Sequence, residues 1–204
     1  MEIFTLVTGL LFLYLEIRQN NWMWAVQALT GAASVYIFFQ EGLYATMALN
    51  AYYVATAVWG MWSWRKDKAT AIESLKMQSE DKPKPDEDNI HLRRLHLKTV
   101  CISIIAQIAG TAALYHILRP LGDAMSLMDS GITVLSIIAT WWLIQTYKEQ
   151  WILWIIADLL TFVMCLSQGL YLMAALYIFY TFSAIYGYIH WKSRGIYVDT
   201  AADN

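Results

Sequence analysis

Long apolar stretches separated by short polar breaks run through most of the chain. Each stretch has about the length that a helix needs to cross the ~30 Å hydrocarbon core of a bilayer. The period-two alternation of membrane β-strands is absent from them, so we predict seven transmembrane α-helices. The predicted spans are residues 3–18, 22–39, 43–64, 97–118, 130–147, 151–166 and 170–191.

The composition also indicates an integral membrane protein. Hydrophobic residues make up 58% of the 204 residues and charged residues only 15%, whereas a soluble domain carries about 25% charge. Outside the loops there is no basic patch interleaved with aromatics, so nucleic acid is not an expected partner. One polar stretch, residues 65–96, contains Pro83 and Pro85 and few apolar residues. We expect a flexible linker there, with local helix near 69–77.

The distribution of Lys and Arg sets the expected orientation. Cytoplasmic segments of membrane proteins carry an excess of these residues close to the helix ends. With the N-terminus outside, thirteen of the 14 Lys and Arg residues are cytoplasmic and only Arg119 is not. We therefore expect the N-terminus outside and the C-terminus in the cytoplasm. The cytoplasmic residues are Arg18, Arg65, Lys66, Lys68, Lys76, Lys82, Lys84, Arg93, Arg94, Lys98, Lys148, Lys192 and Arg194.

The first three and the last three predicted helices are similar in sequence at a constant offset of 127 residues. A single helix between two three-helix units gives both units the same orientation in the membrane, as in the 3+1+3 parallel repeats of SWEET carriers. Such repeats place the substrate site between them, near the bilayer midplane. The matched pairs are Gly42-Leu43-Tyr44 with Gly169-Leu170-Tyr171, Ala48-Leu49 with Ala175-Leu176, Tyr53 with Tyr180, Gly60 with Gly187, Trp64 with Trp191 and Trp24 with Trp151.

The predicted fold class is therefore an all-α integral membrane protein with two parallel three-helix repeats. The chain divides into a first repeat at 1–64, a cytoplasmic linker at 65–96, a connecting transmembrane helix at 97–118, a second repeat at 128–191 and a cytoplasmic tail at 192–204.

Asp158 is the only charged residue in the apolar stretch from Trp151 to Leu166. Trp151, Trp154 and Asp158 have the spacing i, i+3, i+7, so they share one face of a helix. At ~1.5 Å per residue Asp158 lies about 10 Å beyond Trp151, where an ionised carboxylate needs a cavity, water or a partner. Two indoles beside a carboxylate suit a flat organic cation. The alternative is an interfacial tryptophan anchor, above all for Trp151, with the acid bonded to a neighbouring helix.

The two repeats differ where this chemistry is expected. Opposite Trp154 the first repeat has Gln27, opposite the acid it has Gly31, and opposite Asn50 the second repeat has Tyr177. We expect the binding chemistry in the second repeat, with Gln27 and Asn50 as polar contributors. The alternative for each amide is a hydrogen bond between helices, which Asn and Gln commonly make in membranes. The full set of predicted substrate contacts is Trp151, Trp154, Asp158, Asn50, Gln27, Tyr53, Tyr177 and Thr181.

Motifs of catalysis are absent from the sequence. It contains no Ser/His/Asp set, no His-Glu-x-x-His helix and no phosphate-binding Gly-Lys motif, and its four histidines lie in the linker or near helix ends. We therefore expect no enzymatic activity, no cofactor and no bound metal. A receptor or assembly scaffold would explain the linker, but not an acid beside two tryptophans.

The sequence around the acid resembles the signature of the PnuC vitamin transporters. In this chain Trp151-x-x-Trp154-x-x-x-Asp158 is followed by Gln168-Gly169-Leu170-Tyr171. The resemblance covers essentially the whole chain apart from the linker and the C-terminal tail. Further similar stretches are Arg18-Gln19-Asn20, Leu49-Asn50-Ala51-Tyr52-Tyr53 and Trp59-Gly60-Met61-Trp62.

This resemblance implies facilitated diffusion of a small vitamin or vitamin precursor across a bacterial plasma membrane, without coupling to ATP or ions. It implies that a cytoplasmic vitamin kinase phosphorylates the substrate and prevents its return. It also implies a homotrimer with a separate path in each protomer. The substrates that it implies are nicotinamide riboside and thiamine and, less closely, riboflavin.

Two positions depart from the nicotinamide riboside members of that family. Asp158 stands where those members have Asn, and Asn50 stands where they have Gln. An acid pairs with a cation and accepts from an exocyclic amine, whereas an amide suits a carboxamide and sugar hydroxyls better. We therefore expect thiamine as the substrate, with nicotinamide riboside as the alternative.

Overall fold

The computed structural model describes residues 2–40, 44–78, 90–119 and 126–197. Within these ranges the chain forms seven α-helices, one for each predicted span. Four stretches are long and apolar enough to cross a membrane, namely Leu97–Ile117, Leu127–Ile144, Gln150–Ser167 and Tyr171–Arg194, and Val7–Ile17 is a shorter apolar helix. The helices are α1 (Glu2–Ile17), α2 (Trp22–Gln40), α3 (Tyr44–Gln78), α4 (Leu97–Leu118), α5 (Ser126–Ile144), α6 (Gln150–Ser167) and α7 (Tyr171–Arg194).

Helix α3 extends well beyond Trp64, where the predicted span ends, and continues to Gln78. Residues 65–78 are too polar to register as a span, but they are rich in Ala, Lys, Glu, Leu and Met, which favour helix. The first part of the predicted linker is therefore helical, in agreement with the local helix expected near 69–77.

Two strands of three residues each accompany the seven helices of the predicted all-α fold. β1 (Ile90–Leu92) and β2 (Gly195–Tyr197) pair in parallel. Ile90 and Leu92 are each 1% exposed, so β1 is held by apolar burial as well as by its backbone bonds. The remaining linker residues 79–89, the loop 120–125, the tail 198–204 and the matched residues Gly42 and Leu43 lie outside the described residues.

The chain divides into two compact units. The first contains α1, α2, α3 and both strands, and it comprises the chain up to Leu92 together with the stretch from Arg194 onward. In this unit α2 packs along α3 and against α1. The side-chain amide of Gln19 donates to the carbonyl oxygen of His91 (2.8 Å) and accepts from its N–H (2.7 Å). Gln19 therefore holds β1 to the turn that follows α1.

The second unit runs from Arg93 to Ser193 and contains α4 to α7. In it α5 packs against α4 and against α6. The indole Nε1 of Trp142 donates to the Ser103 hydroxyl (3.1 Å), which joins α5 to α4. Polar bonds of this kind help to associate helices in lipid, where burial of apolar surface contributes little.

The 127-residue offset relates the backbone as well as the sequence. A residue with a left-handed backbone follows each of α1 and α5. It is Gln19 (φ 49°) after α1 and Thr146 (φ 58°) after α5. Both turns contain the paired hydrogen bonds of a Schellman motif, which satisfies the last carbonyls of a helix. The bonds run from Gln19 N to Glu16 O (2.9 Å), Asn20 N to Leu15 O (2.8 Å), Thr146 N to Leu143 O (3.0 Å) and Tyr147 N to Trp142 O (3.0 Å).

Candidate substrate-binding site

Helix α6 buries one face, and Asp158 lies in the middle of that face. Asp158 is 9% exposed, so its carboxyl group is held within the protein rather than on a lipid-facing surface, as expected for an acid at this depth. The helix ends in a further Schellman motif, in which Gly169 (φ 73°) supplies the left-handed residue. The buried residues along this face are Trp151, Asp158, Thr161 and Cys165.

Helix α7 packs against this face of α6. The turn at residues 168–170 makes the two helices antiparallel, and Trp151 near the start of α6 lies against Gly187 near the end of α7. Asp158 follows Trp151 by two helical turns, which places it level with the turn of α7 that carries Tyr180. The carboxyl group of Asp158 and the phenol of Tyr180 are close enough to interact electrostatically. Asp158 and Tyr180 are therefore neighbours across the α6–α7 contact.

Two buried hydroxyl groups lie close in sequence to this pair, Thr161 one turn beyond Asp158 and Thr181 next to Tyr180. Thr161 on α6 donates to the carbonyl oxygen of Ala157 (2.8 Å), and Thr181 on α7 donates to the carbonyl oxygen of Tyr177 (2.9 Å). Because each hydroxyl proton is engaged by the backbone of its own helix, both oxygens can accept a further hydrogen bond but not donate one. A ligand that meets these hydroxyls must bring donors.

Trp154 lies one turn from Asp158 on the same helix and is half-buried. Its Nε1 atom is buried and has no hydrogen-bond acceptor among the described residues. The same is true of Nε1 in the enclosed Trp24 and Trp151, so it is the half-open ring that distinguishes Trp154. Trp154 therefore offers both a ring face and an N–H group to a ligand.

Tyr180 is a site residue that the sequence analysis did not select. Its ring packs at right angles on that of Tyr177, with centroids 5.9 Å apart and an interplanar angle of 83°. The signal for it was its match to Tyr53 at the repeat offset, which we used only as evidence for the repeat. In a chain with 13 tyrosines, the residue type alone carries little information.

Trp151 has surroundings unlike those expected of a substrate contact. It is 1% exposed, its six-membered ring lies over Gly187, and it packs edge to face on Trp191 at 5.6 Å. The structure thus separates two indoles that the spacing had grouped, because Trp151 is enclosed by α7 while Trp154 is partly open.

The other predicted contacts belong to the first unit. Gln27 lies on α2, and its Oε1 atom is buried without a hydrogen-bond donor among the described residues. Asn50 and Tyr53 lie on α3 and are half-buried, and the Tyr53 ring packs on that of Tyr52 at 5.7 Å. Their roles toward a substrate stay predictions.

The arrangement in the second unit combines one carboxyl group, aromatic faces and hydroxyl acceptors. This set can hold a flat cation by charge and stacking while accepting hydrogen bonds from its hydroxyl or amine groups. Among the described residues no three His, Cys, Asp or Glu side chains are grouped to hold a metal ion.

The family model and the known relatives that match this chain are all described as transporters. The family model described as nicotinamide mononucleotide transporter matches residues 1–193. The chain is 30% identical over 167 residues to the nicotinamide riboside transporter PnuC of Escherichia coli (strain K12), covering 76% of this chain and 69% of that protein. It is 28% identical over 166 residues to the nicotinamide riboside transporter PnuC of Neisseria mucosa, covering 76% of this chain and 58% of that protein.

A solved structure shares the fold. The chain matches a crystal structure described as that of the vitamin B3 transporter PnuC with a TM-score of 0.65 and 23% identity. The match covers 92% of this chain and 78% of the other.

Proposed function

Because the chain belongs to the nicotinamide mononucleotide transporter family, as its resemblance to the PnuC transporters predicted, we propose that it carries nicotinamide riboside across the membrane. The relatives named above are transporters of this nucleoside. They are not enzymes, in agreement with the expectation from the sequence. Four helices long and apolar enough to span are consistent with a multi-pass membrane protein.

Thiamine, which the sequence analysis favoured, gives way to the alternative substrate. That preference depended on Asp158 and Asn50 alone, while the relatives that match most of the chain are named for nicotinamide riboside. A carboxylate also suits this ligand, because it pairs with the pyridinium charge and accepts from ribose hydroxyls as readily as from an amine. The acid therefore does not distinguish the two vitamins.

The charge pattern favours the riboside over its phosphorylated form. Between Lys148 and Lys192 the sequence contains no Lys or Arg, so α6 and α7 offer no cation to a phosphate within the bilayer. A phosphate dianion would instead lie near Asp158, which repels it. Proteins that bind phosphate generally use Arg, Lys or a helix N-terminus.

Each part of the riboside has a counterpart on α6 or α7. The pyridinium ring would stack on Trp154 and pair with Asp158, as flat cations do with indoles and carboxylates. The carboxamide oxygen would accept from the unengaged Nε1 of Trp154. The ribose hydroxyls would donate to Asp158 and to Thr181, whose own proton is engaged by Tyr177. Gln27, Asn50 and Tyr53 remain predicted contributors from the first repeat.

The mode of transport and the assembly are part of the same proposal. We infer facilitated diffusion through seven spanning helices in a 3+1+3 arrangement, in a homotrimer in the bacterial plasma membrane. A cytoplasmic kinase that phosphorylates the riboside keeps it inside the cell. The charge bias supports an N-terminus outside and a cytoplasmic C-terminus, and reporter fusions after Asn204 test that orientation.

The observation that carries this proposal is the buried Asp158 beside a half-open Trp154 in a chain whose matched relatives are nicotinamide riboside transporters. Titration of the purified protein with nicotinamide riboside, nicotinamide mononucleotide and thiamine tests it. We expect the riboside to bind at least about tenfold more tightly than the mononucleotide, whose phosphate Asp158 repels, since one good charge-assisted contact contributes about 1.5–3 kcal/mol. We expect it also to bind more tightly than thiamine, which pairs with Asp158 but lacks the carboxamide and the ribose hydroxyls. Tighter binding of thiamine or of the mononucleotide would contradict the proposed substrate.

A further inference from the structure

The indole of Trp151 packs directly on the backbone of residue 187, which is possible because that residue is glycine. A Cβ atom at Gly187 would lie 2.7 Å from Cη2 and Cζ2 of Trp151 and 2.8 Å from its Cε2. The same indole packs at 89° on Trp191. Trp151, Gly187 and Trp191 together form what we call the α6–α7 lock.

The first repeat contains the same lock between α2 and α3. A Cβ atom at Gly60 would lie 2.5 Å from Cε2 and Cζ2 of Trp24 and 2.6 Å from its Cη2, and Trp24 packs at 78° on Trp64 with centroids 5.2 Å apart. The same three ring atoms meet the glycine in both units. Trp24 is 0% exposed.

The first repeat serves as an internal control for the role of the indole. It has the lock, but at the place of Asp158 it has Gly31. Since the same buried indole recurs where no acid is present, the lock does not depend on a ligand beside it. It serves helix packing in both repeats.

We propose that Trp151 is a positioning residue and not a substrate contact, and that the α6–α7 lock fixes the register of α6 against α7 so that Asp158 faces Tyr180. The inference rests on the proposed function, since the position of Asp158 matters through the substrate that it binds.

The geometry shows why the register matters. Asp158 follows Trp151 by two helical turns, about 10 Å along the axis, so a shift at the lock is transmitted along a rigid helix. A slip of one residue would move the carboxyl group by about 1.5 Å and turn it by about 100°. Polar ligand contacts tolerate only about 0.5 Å of displacement.

The test compares Gly187→Ala with Gly60→Ala as a matched pair. Both substitutions place a methyl group against an indole, so both should lower the unfolding temperature. We expect nicotinamide riboside affinity to fall about tenfold for Gly187→Ala, since misplacement by about 1 Å has effects of this order or larger. We expect Gly60→Ala to weaken binding less than Gly187→Ala does, because the first-unit lock positions only neutral predicted contacts, whose hydrogen bonds are weaker than those to a charged group.

A double-mutant cycle separates positioning from direct contact. In an Asp158→Asn background, Gly187→Ala and the milder Trp151→Phe should each weaken riboside binding much less than in wild type, since they act through the carboxyl group. An equal loss from Trp151→Phe in both backgrounds would show that the indole touches the ligand. Wild-type affinity in folded Gly187→Ala and Trp151→Phe would also overturn the positioning role.

Two results are distinguishable in this design. Absence of riboside binding to the wild-type protein contradicts the proposed function itself. Normal riboside binding to the wild-type protein, with the same affinity in the Gly187→Ala and Trp151→Phe variants, contradicts only the inference about Trp151.

Discussion

Asp158 and Gly31 occupy the same position in the two repeats, 127 residues apart, and only the second repeat has room for a side chain there. A Cβ atom at Gly31 would lie 2.8 Å from Val54 Cγ2 and 3.4 Å from the carbonyl oxygen of Asn50. Helices α2 and α3 thus touch at the level where α6 and α7 hold a carboxyl group. The shared three-helix plan uses this position for close packing in one unit and for polar chemistry in the other.

This contact predicts that alanine in place of Gly31 and alanine in place of Gly131 have different effects on stability. Gly31→Ala should lower stability by about 1–3 kcal/mol, as overpacking does, and Val54→Ala should restore part of the loss. Gly131→Ala is the control, because a Cβ there meets only Thr111 Cγ2 at 4.0 Å, so it should be neutral or gain up to about 1 kcal/mol from helix propensity. Thermal unfolding in detergent measures both, and equal shifts would show that α2 and α3 are not in close contact.

The Gln19 side chain should be important for the stability of the first unit. Gln19→Ala removes two hydrogen bonds to the backbone of His91 and should cost about 1–3 kcal/mol. Gln168→Ala, at an exposed residue that ends α6, is the control and should change stability by less than about 0.5 kcal/mol. If both variants unfold at the same temperature, Gln19 does not hold β1.

Trp154 should contribute to binding through its ring and through its N–H group. Trp154→Ala should weaken nicotinamide riboside binding by about 1–2 kcal/mol, and Trp154→Phe by less, since it keeps the aromatic face. Trp22→Ala removes an indole that is 72% exposed and serves as the control. Calorimetric titration measures all three, and wild-type affinity in Trp154→Ala would place the ligand elsewhere.

At zero membrane potential the direction of net flux should depend on the concentration gradient of the riboside alone. In liposomes loaded with buffer, labelled riboside should enter until the inside and outside concentrations are equal. A pH gradient imposed at zero membrane potential should not change that end point, because Asp158 is proposed to bind the ligand. Accumulation above the outside concentration in response to a pH gradient at zero membrane potential would show that transport is coupled to protons.

The repeat and the seven helices could be predicted from the sequence, whereas several details could not. Helices that face lipid need long apolar stretches, so each helix leaves a strong signal in hydrophobicity. The strands are only three residues long and join Ile90 to Gly195 across more than 100 residues of sequence. No local pattern specifies such a contact.

The candidate site was predictable in type but not in detail. The acid stood out because charge is rare in apolar helices. The different roles of Trp151 and Trp154 depend on which part of α6 faces Gly187, and helical spacing groups both on one face. The matched relatives support nicotinamide riboside better than thiamine. The sequence could not decide between them, because a carboxylate serves either vitamin.

We propose that nicotinamide riboside crosses the membrane through a site built around Asp158. Uptake of labelled riboside into liposomes containing wild-type protein, Asp158→Ala or Asp67→Ala tests it most directly, since Asp67 is another buried acid, on α3. We predict rapid equilibration with wild type and with Asp67→Ala, and a rate at least about tenfold lower with Asp158→Ala, which loses a charge-assisted contact. Equal rates for wild type and folded Asp158→Ala, or uptake by wild type no faster than by empty liposomes, would contradict it.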